Sequence, residues 1–229
     1  MDHFTSELPN IPEAQIDKLL QKVKALNGDH DALIKLAQMY AVGKPYFEQS
    51  YPQRALYIYQ LAAKADAADA WYYLALCYEQ GQPYFVEPDL HRAQQCLEQS
   101  TLLGSKLGFY HLGEYLEFGL LGKDPDYHSA YRHYRKAAQL GLTDAIVRVG
   151  QCLEQGAPYV YCQRPRAAYR QYCRAMHMGN KLAKEKVAQC LEIGYPFCNG
   201  SESLAYSIRQ SLKRSRSAND SFGQSPQEY

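Results

Sequence analysis

Apolar residues recur along most of the chain at helical spacing, and the pattern is cut by glycines that are themselves periodic. Ala70, Leu74, Ala75 and Tyr78 share one helical stripe, which predicts a helix over roughly residues 69–80. Gly81 ends it, as a residue free to take positive φ after a helix. Pro83 follows and cannot continue the helix. A second helix is predicted from Glu87-Pro88-Asp89, an acidic start with an early proline. It runs to about Leu103 and stops at Gly104. The same start recurs at Asp124-Pro125-Asp126.

This helix pair is a repeat. The glycines of YAVGKPY, YEQGQPY, YLEFGLLG, LEQGAPY and LEIGYPF are Gly43, Gly81, Gly119, Gly156 and Gly194, in steps of 38, 38, 37 and 38. Three series of small residues keep the same register. They are Ala55, Ala93, Ala130 and Ala168; Ala37, Ala75, Gly113, Gly150 and Ala188; and Ala32, Ala70, Gly108, Ala145 and Ala183. Registered small positions at one period predict stacked helical hairpins, because small side chains let helix axes approach to about 8 Å. The expected fold is all-α, a right-handed α-α superhelix of about five helix-turn-helix repeats. The repeats divide as 29–66, 67–104, 105–141, 142–179 and 180–214. Residues 13–28 form an amphipathic N-terminal capping helix, 1–12 are expected to be flexible, and 215–229 to be a disordered tail, being polar and without periodicity.

The formal net charge of +1 gives no reason to expect nucleic acid as a partner. The charge is uneven, with 9 Lys+Arg against 14 Asp+Glu over residues 1–115 and 16 against 10 over 116–229. The acidic N-terminus MDHFTSELPN lacks a secretory signal's basic and apolar regions, and no apolar run reaches the length of a membrane span. A cytoplasmic location is the default. Cys77, Cys152 and Cys190 each stand four residues before a periodic glycine and are expected to be reduced, buried apolar residues.

The repeat resembles the Sel-one-like repeat (SLR) family, a relative of the tetratricopeptide repeat. Its helix-A pattern, A-x-x-x-L-G-x-x-Y-x-x-G, stands here as Ala70, Leu74-Ala75, Tyr78 and Gly81, and as Ala145, Val149-Gly150, Leu153 and Gly156. Its helix-B pattern is best kept as Ala130, Tyr134, Lys136-Ala137-Ala138 and Gly141. The resemblance spans about residues 13–214. It implies a non-enzymatic protein-interaction scaffold or adaptor, with bacterial adaptor or regulator roles; the alternative it implies is an immunity-type protein that neutralises a specific toxin. The chain departs from the family where Pro45, Pro83, Pro158 and Pro196, each followed by Tyr or Phe, replace a second glycine after helix A. Those aromatics are expected to pack between neighbouring repeats.

Catalytic signatures are lacking: there is no HExxH, G-x-S-x-G or phosphate-binding loop. His111 with Glu114 is an i, i+3 pair too small for a metal site, and no cofactor is implied. Cys173 with His177 is an i, i+4 pair that gives the enzyme alternative its only residues. Many of the 21 tyrosines, Tyr59, Tyr134 and Tyr172 among them, fall at core spacing on helix B.

A second helix-A stripe stands off the core: Asp69, Tyr72, Leu76, Glu79 and Gln80. Its register transfers to Asp31, Ile34 and Gln38; to Tyr110, Glu114, Glu117 and Phe118; to Asp144, Val147, Gln151, Glu154 and Gln155; and to Glu185, Gln189 and Glu192. By resemblance to tetratricopeptide arrays this stripe lines the concave groove. The expected partner-binding residues are Tyr72, Leu76, Glu79, Tyr110, Glu114, Glu117, Phe118, Gln151 and Glu154. The expected partner is another protein offering a basic or amide-rich segment, with no nucleic acid and no membrane. Glu79, Glu117, Glu154 and Glu192 share one position near a helix C-terminus, where the dipole disfavours a carboxylate by about 0.3–1 kcal/mol. Two compensations stay open: a salt bridge to a helix-B arginine such as Arg54 or Arg92, or a basic partner. Arg132, Arg135, Lys136, Arg166, Arg170 and Arg174 collect on helix B of the later repeats and read as a solvated convex face.

Overall fold

The computed structural model describes residues 30–43, 50–81, 87–120, 124–193 and 204–211. Among them every regular element is a helix. In chain order these are α1 (His30–Val42), α2 (Pro52–Lys64), α3 (Ala68–Gln80), α4 (Leu90–Leu102), α5 (Lys106–Phe118), α6 (Tyr127–Gln139), α7 (Thr143–Gln155), α8 (Pro165–His177) and α9 (Lys181–Ile193). A short α10 covers 204–211. The expected capping helix over 13–28, the tail over 215–229 and the aromatics after Pro45, Pro83 and Pro196 lie outside the described residues.

Two compact units divide inside α5, Met1–Gly108 and Phe109–Tyr229. In the first, α1 packs on α2, α2 on α3 and α3 on α4. In the second, α6 packs on α7, α7 on α8 and α8 on α9.

Two turn designs alternate, and each has a local cause. From helix B to the next helix A the chain reverses through a residue with positive φ: Asp66 (58°), Gly104 (88°), Gly141 (86°) and Gly179 (88°). Ala67, Ser105, Leu142 and Asn180 each donate their N–H to the carbonyl five residues back, at 3.0–3.1 Å. The positive-φ residue bonds three back, which completes a Schellman cap and satisfies carbonyls the helix end would leave open. Aspartate tolerates that conformation better than most side chains, so Asp66 replaces glycine there.

From helix A to helix B the periodic glycines do the turning. Gly81 has φ 61°, and a Cβ there would meet the Pro88 ring at 2.5 Å. The residue preceding each helix B then donates its N–H to a carbonyl near the end of the preceding helix A. The bonds are Tyr51 to Tyr40 (2.7 Å), Asp89 to Tyr78 (2.8 Å), Asp126 to Leu116 (2.8 Å) and Arg164 to Leu153 (2.7 Å). The shorter third connection keeps this bond unchanged. Asp89 and Asp126 are N-caps, each accepting from the backbone N–H three residues on at 2.9 Å. Pro88 and Pro125 therefore precede the helices rather than open them, whereas Pro52 and Pro165 are the first helical residues of α2 and α8.

The core follows the registered series. Ala37, Ala55, Ala70, Ala75, Ala93, Ala130 and Ala145 are fully buried, as are Tyr134 and Tyr172. Cys77, Cys152 and Cys190 are buried and free of disulfides. Burial pushes the Cys152 thiol up to about 12, so almost no thiolate forms at neutral pH. Brief treatment of the native protein with a maleimide, read by peptide mass spectrometry, should label exposed Cys162 and spare these three. Labelling of Cys77 or Cys152 as fast as Cys162 would contradict the packing.

Candidate functional site

The periodic glutamates show what the helix-A face is built from. Tyr134 and Tyr172 fill the core from α6 and α8, and a buried phenol needs a hydrogen-bond partner. The glutamate two residues before the glycine supplies it. Tyr134 Oη donates to Glu117 Oε2 at 2.6 Å, and Tyr172 Oη to Glu154 Oε2 at 2.8 Å.

Glu117 goes further inward than its equivalents. It is 6% exposed and also accepts from Tyr159 Oη and from Arg148 Nη2. Arg148 continues to Gln151 Oε1 at 2.9 Å and lies over the Tyr134 ring, 5.6 Å from its centroid. Desolvation pushes the Glu117 carboxyl up. The bonds from Arg148, Tyr134 and Tyr159, with the Arg148 charge, outweigh it and hold the pKa below the ordinary value. Burial, then the bond to Glu117, raises Tyr134 and Tyr159. Tyr159 sits edge-on to Tyr127 at 5.2 Å, so the one described aromatic of the Pro-aromatic series packs against the preceding repeat.

Glu117 is therefore removed from the set a partner could reach: its oxygens are occupied inside the second unit. Its cation is Arg148 on the next helix A, not a helix-B arginine. Glu154 has the equivalent cation, Lys186, at 4.0 Å, and Glu192 pairs with Arg209 of α10 at 2.6 Å. A further register carries the signal: Lys35, Tyr73, His111, Arg148 and Lys186 recur at the repeat period, and its last two members fall 31 and 32 residues after a periodic glutamate. Ile34 and Val147, grouped with the open stripe on spacing, are also buried, at 7% and 2%.

The remaining stripe residues stay within reach of solvent. On α5, Tyr110, His111 and Glu114 form a cluster, with His111 Nδ1 2.7 Å from Glu114 Oε2 and the Tyr110 ring 5.4 Å from that of Tyr134. Burial first, then Glu114's charge, pushes the Tyr110 hydroxyl up to about 12. Phe118 is 65% exposed at the end of α5. Gln151 and Glu154 are half-buried on α7. In the first unit Tyr72, Leu76 and Glu79 are half-buried on α3, with Tyr72 edge-on to Tyr73 at 4.9 Å. Cys173 is half-buried and His177 exposed on α8. Among the described residues no group of three His, Cys, Asp or Glu side chains could hold a metal, and no helix is long and apolar enough to cross a membrane.

Tandem helix pairs with registered small residues, capped turns and one patterned face define an α-helical repeat protein. Three tandem segments of the chain, residues 30–66, 68–105 and 110–142, match the Sel1 repeat model. Repeats of this family are scaffolds for protein–protein interaction. Among solved structures, a Sel1 repeat protein from Oxalobacter formigenes is similar, with a TM-score of 0.71 and 19% identity over 82% of this chain and 74% of that one. An immunity protein from Pseudomonas aeruginosa aligns with a TM-score of 0.54 and 22% identity over 72% of this chain and 59% of that one. These likenesses establish the solenoid fold class. No curated protein matches the sequence.

Proposed function

We propose that the chain is a non-enzymatic scaffold or adaptor that holds a partner protein on the helix-A face of its repeats, chiefly through tyrosine rings and side-chain amides. The observation that carries this reading is the division of labour on that face. The carboxylates of Glu117 and Glu154 accept from Tyr134 and Tyr172, and Arg148 takes up further charge. Tyr110, Phe118 and Gln151 keep solvent-facing surface beside them. Aromatic anchors dominate binding energy at protein interfaces, and partly neutralised carboxylates contribute mainly to association rate. The partner segment that fits is amide-bearing or weakly basic.

The test is a binding measurement on the partner captured by the wild-type chain. Tyr110→Ala should weaken it by about 1–3 kcal/mol. Reversal of Arg132 and Arg135 to glutamate on α6 should leave it unchanged. If only the α6 reversal loses affinity, the helix-A face is not the site.

The fold shared with the P. aeruginosa immunity protein favours a second reading, that the partner is one toxin which this chain neutralises. Co-expression with a candidate toxin separates the two, since a scaffold leaves its toxicity unaltered. An enzyme using Cys173 and His177 would be a third class. A Cys173→Ser variant that retains every partner interaction and phenotype removes it.

A further inference from the structure

The helix-B side of the second unit has the opposite chemistry. Helices α6 and α8, YHSAYRHYRKAAQ and PRAAYRQYCRAMH, contain no aspartate or glutamate. Their basic residues fall at equivalent repeat positions: Arg132 with Arg170, and Lys136 with Arg174. All four are exposed. Spacing of i, i+4 on each helix puts both pairs in rows on one face. The rows belong to one surface, because Arg174 Nη2 reaches the carbonyl of Ala138 at the end of α6, at 3.4 Å. Among the described residues no acidic side chain forms an ion pair with Arg132, Lys136, Arg170 or Arg174.

Beside α6 this surface opens into a cleft of about 340 Å³ lined by Phe109, Ser129, Arg132, His133 and Lys136. Ser129, Arg132, His133 and Lys136 follow one another at i, i+3, i+4 and i+7, so one helical stripe forms the wall. The Phe109 and His133 rings of its lining lie 5.9 Å apart. Burial, then the Arg132 charge, lowers the His133 pKa against the opposing pull of Asp126, so this ring is uncharged at neutral pH. Like charges at this density repel one another across the face, and an anionic partner relieves that repulsion.

We propose that the α6–α8 face is a second docking surface, for an acidic segment of a partner protein that seats an apolar side chain in the Phe109–His133 cleft while its carboxylates lie along Arg132, Lys136, Arg170 and Arg174. This surface is separate from the helix-A face and does not depend on the reading given to it. With both occupied, the chain bridges two partners of different chemistry.

A fluorescein-labelled peptide repeating Glu-Glu-Leu tests it by anisotropy on the full chain. Its companions are the same peptide with Gln for Glu and an oligothymidylate of equal length. The acidic peptide should bind best, and less tightly as salt rises. Arg132→Gln combined with Lys136→Gln and Arg170→Gln should weaken it about tenfold, as expected for three exposed charge pairs. These side chains are exposed, so the far-UV spectrum and melting point should not move. Lys181→Gln with Lys184→Gln, on α9, should change binding less than twofold. Equal binding of the Gln peptide, wild-type affinity in the triple variant, an equal loss in the α9 control, or tighter binding of the oligothymidylate would each overturn the proposal.

Discussion

Replacing Arg148 with alanine should cost about 3 kcal/mol of stability, near the low end for breaking a buried ion pair, since it strands the Glu117 carboxylate without its cation. Arg148 is 27% exposed and Glu117 only 6%, so the loss falls mainly on a carboxylate that water cannot reach. Removing both charges should not rescue the fold. A double change to methionine would empty the acceptor that Tyr134 and Tyr159 share, and an orphaned buried hydroxyl costs about 1–3 kcal/mol. Glu117→Gln is the gentler probe, since it keeps one acceptor oxygen. Folding lowers the Glu117 pKa, so as pH falls the unfolded chain binds the proton first. The network's stabilisation is complete above the ordinary carboxylate range and is lost as pH drops through the lowered folded value. The gap between wild-type and Glu117→Gln melting points should therefore narrow as the pH falls through the ordinary carboxylate range and on through the lowered folded value. A constant gap would show that the charge of Glu117 contributes nothing.

The second large effect has a sign that helix propensity gets wrong. Gly113 and Gly150 lie inside α5 and α7, where alanine is ordinarily better by about 1 kcal/mol. Here the new Cβ would meet the Tyr134 ring at 2.7 Å and the Tyr172 ring at 2.5 Å. Neither ring can step aside, being fully buried and tethered through its hydroxyl to Glu117 or Glu154. Gly150→Ala should therefore destabilise by about 2 kcal/mol, measured by denaturant melting. Adding Tyr172→Leu should recover part of the loss, because the second repeat packs Ala75 and Leu97 at the same two positions, both fully buried. The first repeat tolerates Ala37 with Tyr59, whose ring stacks on Tyr73 at 5.1 Å. A stabilising Gly150→Ala would mean that the ring moves freely.

Much of this was readable in advance because it repeats. The helix pairs, the glycine stops, the buried cysteines at 77, 152 and 190 and the tyrosines of the core all follow from the period. The period carries no information about a contact that joins different positions of different repeats. Glu117 and Arg148 are 31 residues apart, and Tyr159 comes from a connection 42 residues after Glu117. A periodic glutamate on an amphipathic helix looks the same from sequence whether its carboxylate meets water or three donors. Ile34 and Val147 were misplaced for a related reason. Helix α7 packs against both α6 and α8, so the buried arc of a helix A is wider than one stripe.

The hydrogen bond from the residue before each helix B back to the preceding helix A has an evolutionary consequence. It spans 11 residues in three of the described repeats and 10 in the third, from Leu116 to Asp126, and the helices it joins have the same length throughout. The bond acts as a drawstring at the neck of each connection. What lies beyond the neck can lengthen, shorten or change composition at little cost, since doubling a loop adds only about 0.6 kcal/mol of closure entropy. Lineages carrying this architecture can therefore diversify at these four necks while the hairpins beneath them stay in register, and a foreign recognition sequence could be grafted there without redesigning the scaffold.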